Sequence, residues 1–240
     1  MTTPAKKPTH RGTLPLHVQV SEALIRDIQA GLLLDGESLA PERKLAADLG
    51  IAVGTLRKAL ADLEAKGFLE RVQGSGNYIR DTSTSENIYA FFHLELIDGG
   101  GLPTAQVLSV KHLRKAKDLP RFGDHTHAVR IRRLRRLGDT DAAVEEIWLD
   151  GSVTDAIDKG DLSDALYLMY RERFGRIISR VKDQVGVEDC PNWMPTGFGR
   201  SDRSGWGFVE RLSNDQTGQI IEYSRTWFDP THIRYTARWK

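Results

Sequence analysis

One cysteine, Cys190, stands in 240 residues, so no intrachain disulfide can form. Long apolar runs are missing too. Runs such as Leu32–Leu34 fall far short of the roughly 20 residues a membrane-spanning helix needs. The opening stretch MTTPAKKPTHRG carries charge but no apolar core, so it does not read as a signal peptide. The expectation is a cytoplasmic protein with no membrane partner. Catalytic signatures are absent as well: there is no Gly-x-Ser-x-Gly elbow, no Walker loop and no metal-binding His pair. His125 and His127 have no nearby third ligand, and Cys190 precedes a proline with no adjacent His, which fits a structural thiol. No metal, cofactor or catalytic residue is therefore expected. Net charge is almost nil, at +1 from 34 Lys/Arg and 33 Asp/Glu. A chain so balanced is no polyelectrolyte binder, and any nucleic-acid contact must be a local patch.

What is present is an ordinary globular composition, with 40% hydrophobic and 28% charged residues. The charge is segregated. Lys111–Arg136 holds ten Lys/Arg against two Asp/Glu, and Leu137–Ala165 holds nine Asp/Glu against one Lys. Residues 1–13 are polar, with Pro4, Pro8 and Gly12, and read as disordered. A first domain is expected over 14–80, a polar linker over 81–87 and a second domain over 88–240.

In the first domain Leu16, Val20, Leu24, Ile25, Ile28 and Leu32 recur at helical steps, with Gly31 loosening the end. Pro41 opens a short helix that Gly50 closes, at about Pro41–Leu49. A third helix places Leu56, Leu60 and Leu63 on one face and stops at Gly67. The turn Gly50-Ile-Ala-Val-Gly54 makes the last two helices a helix-turn-helix. FLERV and NYIR then flank Gln73-Gly-Ser-Gly76 as a hairpin, completing a winged helix-turn-helix.

These segments carry a resemblance. PERKLA, TLRKAL and QGSGNY, in order and spacing, resemble the DNA-binding domain of GntR-type bacterial repressors over about Leu14–Arg80. The second domain is similar to the effector-sensing UTRA domain of the HutC branch, whose fold is shared with a lyase. AVRIRRLR, AVEEIWL, DALYLMYRERFG and QIIEYSRTWFDPTHIRY carry that likeness. The relatives' helix before the late strands is replaced here by CPNWMPTGFGRSDRSGWG, which is poor helix sequence. The resemblance implies an α+β chain, a winged helix-turn-helix followed by a mainly antiparallel, chorismate-lyase-like domain. It also implies a DNA-binding regulator, read as a repressor, whose partners are palindromic operator DNA, a second copy of itself and a small metabolite.

Arg43 and Arg57 match DNA-contacting arginines of the family, and an arginine can bridge two acceptors of guanine. Thr55 at the recognition-helix start suits a phosphate, and Lys44 and Lys58 suit it as point charges. Gln73 and Gly74 mark the wing tip. Val53 and Gly54 depart from the common pattern, where many relatives carry an arginine and a polar residue. An ion pair with Glu42 or Asp62 is the competing role for Arg57.

Alternation on RIRRLRRL sets Arg133 and Arg135 on one face of a strand, and the resemblance puts an effector anion there. The competing role is pairing with the acidic strand AAVEEIWL. Glu145, Tyr167, Glu222 and Tyr235 match pocket positions of the family. Expected helices are Ser152–Asp158 and Leu162–Phe174. Expected strands are Tyr89–Ile97, Ala105–Leu113, Ala128–Leu137, Ala142–Leu149, Arg176–Val187, Gly207–Leu212, Ile220–Phe228 and Ile233–Trp239. Two other classes stay open: a metabolite-converting enzyme with a DNA-binding head, and a DNA binder with no ligand.

Overall fold

Apolar residues at three- and four-residue steps wind the first helix, α1 (Leu16–Gln29), and bury Val20, Leu24, Ile25 and Ile28. This computed structural model describes residues 14–29, 32–80, 91–99, 101–154 and 156–237. The stretch expected to be disordered (1–13), Gly31 and the linker (81–87) lie outside these, as do parts of the strands expected at Tyr89–Ile97 and Ile233–Trp239. Leu16 and Leu32, expected on the buried face, are exposed instead. α2 (Glu42–Asp48) starts behind Pro41, and α3 (Val53–Ala65) buries Leu56, Ala59, Leu60 and Leu63 against α1. Lys66, just past α3, ties the two together through Glu22 at 2.5 Å and Asp62 at 2.7 Å. β1 (Leu69–Val72) and β2 (Gly76–Ile79) form the antiparallel wing. Gly74 turns its tip at φ +78°, a left-handed conformation that costs glycine little.

The rest of the chain is a six-stranded antiparallel sheet in the order β4-β5-β6-β9-β8-β7. Its strands are β4 (Pro103–Arg114), β5 (His127–Leu137), β6 (Thr140–Asp150), β7 (Ile178–Glu188), β8 (Trp206–Asp215) and β9 (Ile220–Phe228). A separate short pair joins β3 (Leu94–Leu96) to β10 (Ile233–Tyr235). α4 (Leu166–Phe174) lies on one face, with Leu166, Met169 and Tyr170 packed against Val129, Ile131, Ile147 and Leu149. The proline- and tryptophan-rich segment 190–206 covers part of the opposite face. It inserts Cys190, Met194, Phe198 and Trp206 against Leu134, Val144, Phe208 and Trp227.

The expected helix at Ser152–Asp158 does not form. Asp150 accepts the Ser152 amide at 2.9 Å and Thr154 the Ala156 amide at 3.2 Å, and such local side-chain bonds compete with a helix. Only a short 3-10 turn, Lys159–Asp161, follows. The helix expected from Leu162 begins at Leu166, because the Ser163 hydroxyl holds the Ala165 amide at 3.0 Å in a turn.

Candidate functional site

Two surfaces carry chemistry. On the first, burial of one side of α3 leaves Gly54, Arg57 and Lys58 exposed on the other, with Val53 and Thr55 half-buried at its start. Arg43 and Lys44 of α2 and Gln73 and Gly74 of the wing are also exposed. The α3 N-cap is Ala52, which offers no side-chain cap, so the first amides of the helix remain open to an acceptor such as phosphate. Arg57 does take the competing role foreseen for it: its Nε donates to Glu42 Oε2 at 2.7 Å. That pair is largely exposed, with the arginine side chain at 66% of its free area. Exposed pairs contribute little, so a phosphate or a guanine edge can displace Glu42.

The second surface is a cavity between α4 and the sheet. Its volume is about 100 Å³, it is partly open to solvent, and Phe91, Phe92 and His93 form part of its wall. The structure brings Arg133, Arg135, Glu145, Tyr167, Glu222 and Tyr235 together around this one space.

Arg133 and Arg135 are both buried and converge on one carboxylate. Arg133 donates to Glu145 Oε2 through Nε at 3.0 Å and Nη2 at 2.6 Å, and Arg135 Nε lies 3.7 Å from Oε1. Both also reach the Asp164 carbonyl, at 3.4 Å and 3.0 Å. That acceptor exists because residues 162–165 stay out of the helix. Burial pushes the Glu145 carboxyl up, but the Arg133 and Arg135 charges outweigh it and hold it below the usual carboxylate range.

Glu222 is the opposite case. It accepts hydrogen bonds from Tyr170 at 2.7 Å, Tyr167 at 3.0 Å and Ser213 at 3.1 Å. Burial nonetheless dominates and raises its carboxyl above the usual range. Burial likewise raises Asp164, although the Ala105 amide bonds it at 2.8 Å.

Arg211, on β8, was not foreseen and faces the same cavity. It forks onto Asp183 at 2.7 Å and 2.6 Å and donates to the Phe91 carbonyl at 2.6 Å. Burial works against its charge, but the bonds to Asp183 outweigh that and push its pKa up. Tyr235, which also lines the cavity, donates its hydroxyl to Asp183. The one available signal for Arg211 was alternation: Val209, Arg211 and Ser213 share one face of β8.

No group of three or more His, Cys, Asp or Glu able to hold a metal occurs among the described residues. No helix among them is long and apolar enough to cross a membrane.

Comparison with known proteins matches residues 16–79 to the family described as bacterial regulatory proteins, gntR family, and residues 99–234 to the UTRA domain. The HTH-type transcriptional regulator SmoD of Agrobacterium fabrum is 56% identical over 227 residues, which are 95% of this chain and 97% of that one. The mannosyl-D-glycerate transport/metabolism system repressor MngR of Escherichia coli is 23% identical, over 94% of this chain and 96% of its own. Among solved structures, the possible transcriptional regulator YydK of Bacillus subtilis shares the fold at a TM-score of 0.53 and 17% identity. That match covers 95% of this chain and 100% of YydK.

Proposed function

The chain belongs to the gntR family of bacterial regulatory proteins, in its UTRA-domain form, and from that premise we propose that it is a repressor released from its operator by a small anionic metabolite. That it is a DNA-binding transcriptional regulator, and not an enzyme, follows from the family and its relatives. The proposal concerns how it works: two copies on a palindromic operator, in the cytoplasm, with the effector in the cavity under α4. The division into a DNA-binding part at 14–80, a linker at 81–87 and a sensor at 88–240 belongs to the same reading.

The observation that carries it is the convergence of Arg133 and Arg135 on the single carboxylate of Glu145 in the wall of one cavity. Two guanidiniums sharing one carboxylate favour a further anionic group, a carboxylate or a phosphate, held by paired hydrogen bonds. Glu222 and Asp164 line the same cavity, and their carboxyl oxygens suit ligand hydroxyls. A polyhydroxylated acid or sugar phosphate fits this set. Mannosyl-D-glycerate, whose transport/metabolism system MngR represses, is a molecule of this chemical class.

Coupling to DNA has a physical route. Phe91 and Phe92 are the first described residues after 81–90, the stretch that leads from the winged helix. Phe91 binds Arg211 through its carbonyl, and the Phe92 ring lies 4.6 Å under the Arg135 guanidinium. A ligand that draws Arg135 toward its anion changes the wall that continues into the linker. Such differential contact is what linkage between two sites requires.

The test is thermal unfolding of the full chain against a panel of sugar acids, sugar phosphates and their neutral parent sugars, then operator binding with each hit. Stabilisation confined to anionic members, with loss of operator affinity, supports the reading. Stabilisation by the neutral sugars alone contradicts it.

A further inference from the structure

The sheet face turned away from α4 carries a second group of cations. Alternation on β5 sends Arg130 and Arg132 to this side while Arg133 and Arg135 face the cavity. Strand register then sets Arg132, Glu146, Arg225 and Glu210 in one row across β5, β6, β9 and β8. In the next row Lys111 of β4 stands directly opposite Arg130.

The carboxylates here are mostly committed elsewhere in the row. Glu146 accepts Arg132 Nε at 2.7 Å, Arg225 Nη2 at 2.5 Å and Trp148 Nε1 at 3.1 Å. Glu210 accepts the Tyr223 hydroxyl. Asp118 acts on Arg225 from the neighbouring loop. Arg130 makes no close ion pair among the described residues: Glu146 acts on it at longer range against the like charges of Arg132 and Arg225, and its Nε is buried without a hydrogen bond, as is that of Arg225. Like charges directly opposite on adjacent strands, here Lys111 and Arg130, are unfavourable without a bridging anion.

Each guanidinium is backed by an indole. Arg132 lies 4.7 Å over Trp193, Arg130 lies 5.6 Å over Trp148 and Arg225 lies 5.8 Å over Trp227. Stacking leaves a guanidinium's in-plane donors facing outward; Arg132 spends Nε and Nη2 on Glu146, which leaves its Nη1 and the terminal nitrogens of Arg130 for an oxyanion. The row runs between two apolar groups, one built on Phe122 and Tyr223, the other on Met194, Phe198 and Trp206 of the 190–206 segment. The arginines thus sit between low-dielectric flanks, where a charge interaction is stronger than at an open surface.

We propose that this outer face is a second binding site, separate from the cavity under α4, that takes the oxyanion group of a small ligand between Arg130, Arg132 and Lys111. Phosphate and carboxylate share the required chemistry, and the experiment distinguishes them.

The site contains its own reporters, Trp148 and Trp193. Tryptophan emission of the full chain is followed during titration with inorganic phosphate and, separately, acetate, at constant ionic strength set by chloride. The expected result is a saturable change with one or both anions that persists in Arg133→Gln and weakens at least about tenfold in Arg130→Gln, the scale of one lost charge-assisted hydrogen bond. Whichever anion binds names the group. Lys111→Gln, at an exposed position, is a second variant in which folding is not at risk, and it should weaken binding severalfold. The proposal is overturned if neither anion gives a saturable change, if Arg130→Gln and Lys111→Gln bind as the unaltered protein does, or if Arg133→Gln alone removes binding, which would assign the signal to the cavity.

Discussion

Glu145 and Glu222 are both buried acids of one cavity, and burial acts on both in the same direction. Their partners separate them. Glu145 faces two guanidiniums and is held low, while Glu222 faces three hydroxyl groups and is left high. The two therefore contribute oppositely to stability against pH. The Glu145 contribution is present above the unfolded carboxyl pKa of about 4.3 and is lost as pH falls through its lower folded value. The Glu222 contribution is present below the unfolded value and is lost as pH rises through its higher folded one. Glu145→Gln should cost about 3–5 kcal/mol at neutral pH, because it leaves two buried guanidiniums without their carboxylate. Glu222→Gln should gain stability relative to the unaltered protein as pH rises above the unfolded carboxyl value of about 4.3. Denaturant unfolding on both sides of that value measures both. A parallel pH response of the two variants would show that their environments are not distinct.

At the scale of elements, the strands were legible wherever alternation met buried neighbours on both sides. β9 runs over Ile220–Phe228 as expected, and β5 and β6 differ from expectation by a residue or two at their ends. The absence of α-helix at 152–154 and 162–165 was not legible, since the side chains of Asp150, Thr154 and Ser163 override the apolar period with local bonds. Nor could the burial of 190–206 be read, because an irregular segment has no period to betray its inward residues. The sheet positions of Arg133 and Arg135 follow from their spacing. Arg211 meets Asp183 from 28 positions away and Phe91 from 120 positions away, and such contacts leave no local trace.

Two predictions belong at this scale. Trp206 is fully buried under the 190–206 segment, so Trp206→Ala should destabilise the protein by about 3–5 kcal/mol. Urea unfolding measures it, and a loss under about 1 kcal/mol would mean the segment is not packed as described. On α3, Arg57→Ala should weaken operator binding by about 1–3 kcal/mol and relax preference at one base pair per half-site. A base-substitution series checks it, and uniform weakening at every sequence would limit Arg57 to a phosphate.

On the scale of the whole chain, near-zero net charge conceals two working surfaces with opposite needs. The winged helix exposes its cations on α2, α3 and near the wing, where counterion release can drive association with DNA. The sheet buries Arg133 and Arg135, where they gain strength from a low dielectric and require anionic company. Binding an effector under α4 and binding DNA at α3 are then separable by substitution, though linked in free energy. The most direct measurement is operator affinity of the full-length Arg133→Gln/Arg135→Gln protein, with and without the anionic metabolite that releases the unaltered protein. The account predicts unchanged operator affinity without the metabolite and no release with it. Release at the same metabolite concentration as in the unaltered protein would contradict it.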